Sequence, residues 1–114
     1  MGAGSIEHRR VVIDKKRIYD LVSQIPKGRV STYGLLANAI GRPRVGRAIG
    51  KLLSRNPNPI TVPCHRIICS DGRVGGYSKG VKEKIRLLNS EGVTFNEGIV
   101  NNFREIIFRD LAET

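Results

Sequence analysis

Three breakers cut the first half of the chain into short stretches: Pro26-Lys27-Gly28, Gly41-Arg42-Pro43 and Asn56-Pro57-Asn58-Pro59. Proline fixes φ and removes a backbone donor, and glycine admits left-handed turns, so only short helices fit between them. The apolar spacing agrees. Ile18, Leu21, Val22 and Ile25 follow the i, i+3, i+4, i+7 rhythm of a helix over 14–25, with Asp14 placed to cap it. Ser31 or Thr32 can cap a second helix to Ile40, with Leu35, Leu36, Ala39 and Ile40 inward and Gly41 as its stop. A third helix is expected from Pro43, a favoured first position, with Val45, Ala48, Ile49, Leu52 and Leu53 on one stripe.

A chain of 114 residues allows one domain, 1–114, and no second sizeable core. Twenty Lys and Arg against ten Asp and Glu leave a formal charge of +10, which calls for a polyanionic partner. No apolar run approaches the roughly 18 residues of a membrane span. Nothing at the start reads as a secretion or myristoylation signal. The expected compartment is the cytoplasm, or the nucleus in a eukaryote. Two cysteines, Cys64 and Cys69, are too few to staple a small fold, so a free thiol becomes interesting.

Residues 1–12 carry few apolar positions and read as a loose arm. Residues 60–69 are extended in character, Asp71-Gly72 is a short-hairpin signal, and 73–77 would form the return arm. A last helix is expected from Gly80 to Ser90, with Val81, Ile85 and Leu88 inward and Gly92 ending it. The tail, 93–114, fits either a helix through Phe103, Ile106, Ile107 and Leu111 or a buried strand at Ile106-Ile107-Phe108. The fold class is mainly α with a small β-hairpin wing: a winged-helix-like helix-turn-helix domain.

The third helix carries the charge. Arg44, Arg47, Lys51 and Arg55 recur at spacings of three and four on one side, with Arg42 just ahead of them and no acid among them. Gly46 and Gly50 interleave, and their missing side chains would let the backbone approach another surface. A phosphate backbone is the natural partner, bound in a salt-dependent way. The bland alternative is a solvated face on a basic protein. Val62-Pro63-Cys64-His65-Arg66 carries the chemistry. His65 and Arg66 would favour the thiolate, but adjacent residues of a strand point to opposite faces. His65 can therefore reach Cys64 only if the chain turns there or a water bridges them. Taken alone, the dipeptide fits a buried structural cysteine equally well. Cys64, His65, Cys69 and the distant His8 match no compact zinc spacing, and Cys69 reads as an ordinary hairpin residue.

The combination resembles the O6-alkylguanine-DNA alkyltransferases, the methylated-DNA–protein-cysteine methyltransferases. The resemblance runs from Ile25 to Gly92. It rests on Ile25-Pro26-Lys27-Gly28-Arg29-Val30, Thr32-Tyr33-Gly34, Gly46-Arg47-Ala48-Ile49-Gly50, Asn56-Pro57, Ile60-Thr61-Val62-Pro63-Cys64-His65-Arg66-Ile67-Ile68 and Gly75-Gly76-Tyr77-Ser78. It implies base flipping in duplex DNA and irreversible transfer of the O6-alkyl group to cysteine, once per protein, without cofactor or metal. By motif position Cys64 is the acceptor, and His65 takes its proton through a water. Glu91 orients His65, and Asn56 ties the recognition helix to the active-site turn. Tyr33 gives a proton to the departing guanine. Ser78 and the carbonyls of Cys64 and Ile67 would hold the base, while Pro59 and Tyr77 line the alkyl pocket. Arg47 enters the base stack, and Thr32, Arg44, Gly46, Lys51 and Arg55 complete the DNA-facing set.

Most members of that family carry a further N-terminal domain, which the sequence is expected to lack. Related alkyltransferase-like proteins replace the cysteine and flag lesions instead of repairing them. Two alternatives therefore stand beside repair: a lesion sensor without productive transfer, and a winged-helix DNA-binding regulator with a structural Cys64. The expected partner is double-stranded DNA carrying O6-alkylguanine, engaged by a monomer away from any membrane.

Overall fold

The computed structural model describes residues 12–56 and 61–113. Residues 1–11 of the expected arm, and Pro59, lie outside the described residues.

Helix α1 spans Lys15–Val22, and Asp14 Oδ1 accepts the Lys16 N–H at 2.9 Å as its N-cap. It stops three residues short of the expected end. Gln24 and Ile25 donate to the carbonyls three residues back, and Pro26 bars the residue before it from continuing the helix. Ile18, Leu21, Val22 and Ile25 are all buried.

The chain then runs straight as β1, Ser31–Thr32, a strand that the sequence did not announce. Thr32 does cap the next helix, α2 at Tyr33–Ala39, accepting the Leu35 N–H at 3.1 Å. Gly41, at φ +72°, closes that helix as expected.

The third helix, α3, spans Gly46–Leu53 and does not begin at Pro43. Val45 N–H donates to the Arg42 carbonyl at 3.2 Å, so Pro43 sits second in a tight turn, its other favoured place. Helices α2 and α3 pack together across this turn as a helix-turn-helix, burying Leu36, Ala37, Ile49 and Leu53.

Only part of 60–69 is extended. A single 3-10 turn takes Cys64–Arg66, closed by Arg66 N–H to the Pro63 carbonyl, and β2 is Ile67–Ile68. β2 pairs in parallel with β1, Ser31 opposite Ile67 and Thr32 opposite Ile68. Asp71-Gly72 does make a tight turn, with Gly72 at φ +89° and Cys69 N–H donating to the Arg73 carbonyl. Its return arm departs from the expected ladder. Val74 N–H donates to Gly98 and Val100 N–H to Gly72, so the arm joins a later hairpin. That hairpin is β3, Phe95–Asn96, and β4, Ile99–Val100. Glu97 and Gly98 both have positive φ, as a two-residue primed turn requires. The wing is therefore built mainly from 95–100.

Helix α4 spans Val81–Ser90. Val81 is 43% exposed, contrary to expectation, while Leu88 and Lys84 are wholly buried. The tail resolves both of its readings. A short helix α5, Phe103–Ile106, is followed by extended Ile107, which bridges Val30 in parallel. Ser31 Oγ donates to the Phe108 carbonyl at 2.9 Å. Residues 30–32 thus lie between β2 and the tail. Each wholly buried Leu or Ile here contributes about 1.5–3 kcal/mol by leaving water.

Candidate active site

Cys64 and His65 stand next to each other where the chain cannot be a strand. Pro63 precedes them at ψ 63°, and the 3-10 turn rotates successive side chains by about 120° instead of the 180° of a strand. The geometric obstacle to their cooperation is thereby removed. Both are nearly buried, at 5% and 3% exposure.

Asn56, three residues past the end of α3, reaches into the same turn. Its Nδ2 donates to the Val62 carbonyl at 3.2 Å and to Cys64 Sγ at 3.5 Å. His65 Nε2 meets Glu91 Oε2 at 3.0 Å, from the C-cap of α4. Glu91 is held in turn by Arg66, whose Nε and Nη2 donate to its two oxygens at 3.0 and 2.8 Å. Arg66 Nη1 also donates to the Ile25 carbonyl. Arg66 was expected to favour the thiolate directly; the structure instead makes it the clamp on Glu91.

The electrostatics define each role. Burial works to raise the Glu91 carboxyl, but the hydrogen bonds from Arg66 and His65 outweigh it and hold it below the usual range. Glu91 is therefore an anion, and Nε2 of His65 carries the proton that faces it. His65 Nδ1 makes no hydrogen bond among the described residues, leaving it as the basic nitrogen. Burial lowers the His65 pKa further than Glu91 raises it, so the ring is neutral at pH 7. Burial pushes the Cys64 thiol up, opposed by the Asn56 hydrogen bond and the charge of Lys84. A protonated thiol beside a neutral imidazole backed by a carboxylate is a nucleophile awaiting its base.

Two clefts meet at Gly50. One, of about 110 Å³, is lined by Gly50, Leu53, Ser54, Cys64, Gly76, Tyr77 and Ser78. The Tyr77 ring also meets His65 edge-on, with centroids 6.4 Å apart. The other, of about 310 Å³, is lined by Tyr33, Gly46, Arg47, Gly50, Cys69 and Ser70. Burial pushes the Tyr33 hydroxyl up to about 12, so it is a phenol able to donate a proton.

The structure thus gathers Cys64, His65, Glu91 and Asn56, and sets Tyr77 and Ser78 on the same cleft. Tyr33 and Arg47 border the adjoining one. Arg44, Arg47, Lys51 and Arg55 are all exposed, but only Arg47 and Lys51 lie on α3, because that helix starts after Arg44 and ends before Arg55. Further positions have definite surroundings. Thr32 is 3% exposed and its hydroxyl caps α2, so it is not part of the DNA-facing surface. Gly46 and Gly50 face Tyr33, where an added Cβ would meet Tyr33 Cβ and Tyr33 Cε1 at 3.7 Å, an ordinary contact that demands glycine at neither position. The Ile67 side chain is wholly buried and its carbonyl accepts Lys84 Nζ at 2.6 Å, leaving one lone pair for a base. No group of three metal-ligating side chains occurs among the described residues.

Residues 14–93 match the model of the family "6-O-methylguanine DNA methyltransferase, DNA binding domain". The chain belongs to that family. The methyltransferase-domain match encloses Tyr33, Asn56, Cys64, His65, Lys84 and Glu91 and leaves out the tail that braces β1.

Among curated relatives, a methylated-DNA–protein-cysteine methyltransferase of Methanothermobacter thermautotrophicus is 51% identical over 70% of this chain and 44% of its own length. A bifunctional methyltransferase/endonuclease of Picrophilus torridus is 48% identical over 74% of this chain and 28% of its own. The chain therefore spans less than half the length of these relatives. Among solved structures, Mycobacterium tuberculosis OGT in complex with DNA superposes at a TM-score of 0.66, with 38% identity over 72% of this chain and 51% of that one. S. pombe Atl1 in complex with damaged DNA containing O6-carboxymethylguanine superposes at 0.74, with 29% identity over 86% of this chain and 98% of that one. DNA is the partner that these methyltransferase folds share.

Proposed function

We propose that this chain repairs O6-alkylguanine in duplex DNA by moving the alkyl group onto Cys64 Sγ. The observation that carries the reading is the chain of contacts Asn56–Cys64 and His65–Glu91–Arg66 around one buried thiol in a DNA-binding methyltransferase fold. His65 Nδ1 takes the thiol proton through a solvent molecule, and Glu91 stabilises the imidazolium that results. The Cys64 sulfur attacks the alkyl carbon, a C–S bond forms, and the C–O6 bond breaks. Its electron pair stays with the guanine, which Tyr33 protonates; the phenolate regains a proton from solvent as the His65 imidazolium releases the one it took from the thiol. General acid–base help of this kind is worth about 10²–10⁴ in rate. The thioether is stable, so each copy acts once and no cofactor is consumed.

The exposed cations on and beside α3 hold the phosphates, and Arg47, on the rim of the Tyr33 cleft, fills the stack left by the flipped base. Ser78, Tyr77 and the remaining lone pair of Ile67 O receive the base and its alkyl group. No helix among the described residues is long and apolar enough to cross a membrane, and a duplex-DNA substrate would be met in the cytoplasm or nucleus.

A lesion-holding reading has its own support, the match to 98% of the S. pombe Atl1 chain on damaged DNA. Intact mass after mixing with duplex DNA bearing one O6-methylguanine separates the two. Repair adds one methylene to the Cys64 peptide at one equivalent, and Cys64→Ala gains nothing. Tight lesion binding with unchanged mass would establish the sensor instead.

A further inference from the structure

The mechanism above leaves one buried charge unused. Lys84, in the middle of α4, is 0% exposed, a rarity for lysine unless the charge is compensated. Its Nζ donates to the Ile67 carbonyl at 2.6 Å and to the Gly76 carbonyl at 2.9 Å. Ile67 directly follows the turn that carries Cys64, and Gly76 lines the Cys64 cleft. Among the described residues it makes no ion pair with any carboxylate. The titratable groups facing it are Cys64 and His65 from the 3-10 turn and Cys69 beyond β2. Cys69 Sγ, Lys84 Nζ and Tyr33 Cε2 all converge on Gly75: a side chain there would meet them at 3.1, 3.6 and 3.7 Å.

We propose that Lys84 is a positioning residue of this site, its ammonium serving as the built-in counter-charge of the Cys64 thiolate while it fixes the two carbonyls that frame the cleft. The inference deepens the alkyl-transfer reading and rests on it for its purpose, though its test reads the thiol itself. A buried cation without an anion is costly, and a nearby thiolate relieves that cost only when it forms. The same charge opposes protonation of His65, keeping the base neutral. Thiolate and imidazole are thus both favoured in their reactive forms. Burial already holds the Lys84 ammonium down to about 8, with Cys69 and then Cys64 acting to raise it. Titration of the pair is therefore shared.

The test follows the pH dependence of iodoacetamide labelling at the Cys64 peptide, read by mass, in the wild type, Lys84→Met, Lys84→Arg and Cys69→Ala. The expected result is a midpoint raised by about one pH unit in K84M, a tenfold loss of thiolate. K84R stays near the wild type, and C69A leaves the midpoint in place. A folded K84M with an unchanged midpoint overturns the proposal, as does a C69A shift equal to that of K84M, which would assign the ammonium to Cys69. Should K84M fail to fold, NMR titration of the Lys84 side chain in Cys64→Ala decides. Lys84 must lose its proton at lower pH there than in the wild type, and equal titration overturns the pairing. If the thiol midpoint moves in K84M but wild-type protein takes no methyl group from DNA, the pairing stands and the repair reading falls.

Discussion

At the scale of single residues, His65 sets the pH behaviour. Its folded pKa lies below the ordinary 6.5 because burial outweighs Glu91. The neutral ring is the base, so single-turnover transfer should stay level from pH 7.5 to about 6.5 and fall as acid protonates Nδ1. The unfolded chain takes up this proton first, so the His65 share of stability also drains away as pH falls below 6.5. Rapid-quench rates across pH 5–8 check this, and a rate that climbs as pH falls would contradict the role of Nδ1. Cys64 and His65 were legible as a nucleophile next to a possible base, whereas Asn56 and Glu91, distant in sequence, were placed only by the family resemblance. Lys84 was not legible at all. On α4 it sits among Lys82, Glu83 and Arg86 in a run that reads as solvated, and only the carbonyls of Ile67 and Gly76, brought up from elsewhere, make a buried ammonium tolerable.

At the scale of elements, the helices followed from breakers and periodicity, whereas the pairings did not. Local patterns mark where a helix must stop, as at Gly41, but two-residue strands such as β1 and β2 carry no period to read. Pro43 misled because a turn and a helix start favour the same φ. The wing did leave a signal, Asn96-Glu97-Gly98, less obvious than Asp71-Gly72. Thr32 joins both kinds of information, being strand on one side and helix cap on the other. Thr32→Ala should cost about 1 kcal/mol from the lost cap. Urea unfolding would show this as a lowered midpoint, and an unchanged midpoint would mean that Thr32 Oγ1 contributes nothing to α2. Because α2 carries Tyr33 at its first position, the same variant should loosen the rim of the second cleft.

At the scale of the whole molecule, the chain carries a formal charge of +10, and four of its cations, Arg44, Arg47, Lys51 and Arg55, are exposed on and beside α3. If Arg44, Arg47, Lys51 and Arg55 each meet one phosphate, log K against log salt should fall with a slope of about −3 to −4. Removing any one of them should flatten that slope by about one, and binding that ignores salt would exclude this basic face as the contact. The placement of residues 30–32 between β2 and the tail has a different kind of consequence. Phe108 N–H donates to the Val30 carbonyl, and Val30 adjoins the strand against which Ile67 is laid. A growing chain leaves the ribosome with Cys64 well ahead of Phe108. The strand beside the reactive turn is therefore fastened only once Phe108 has emerged, and a nascent chain carries its thiol for some time before it carries a finished site.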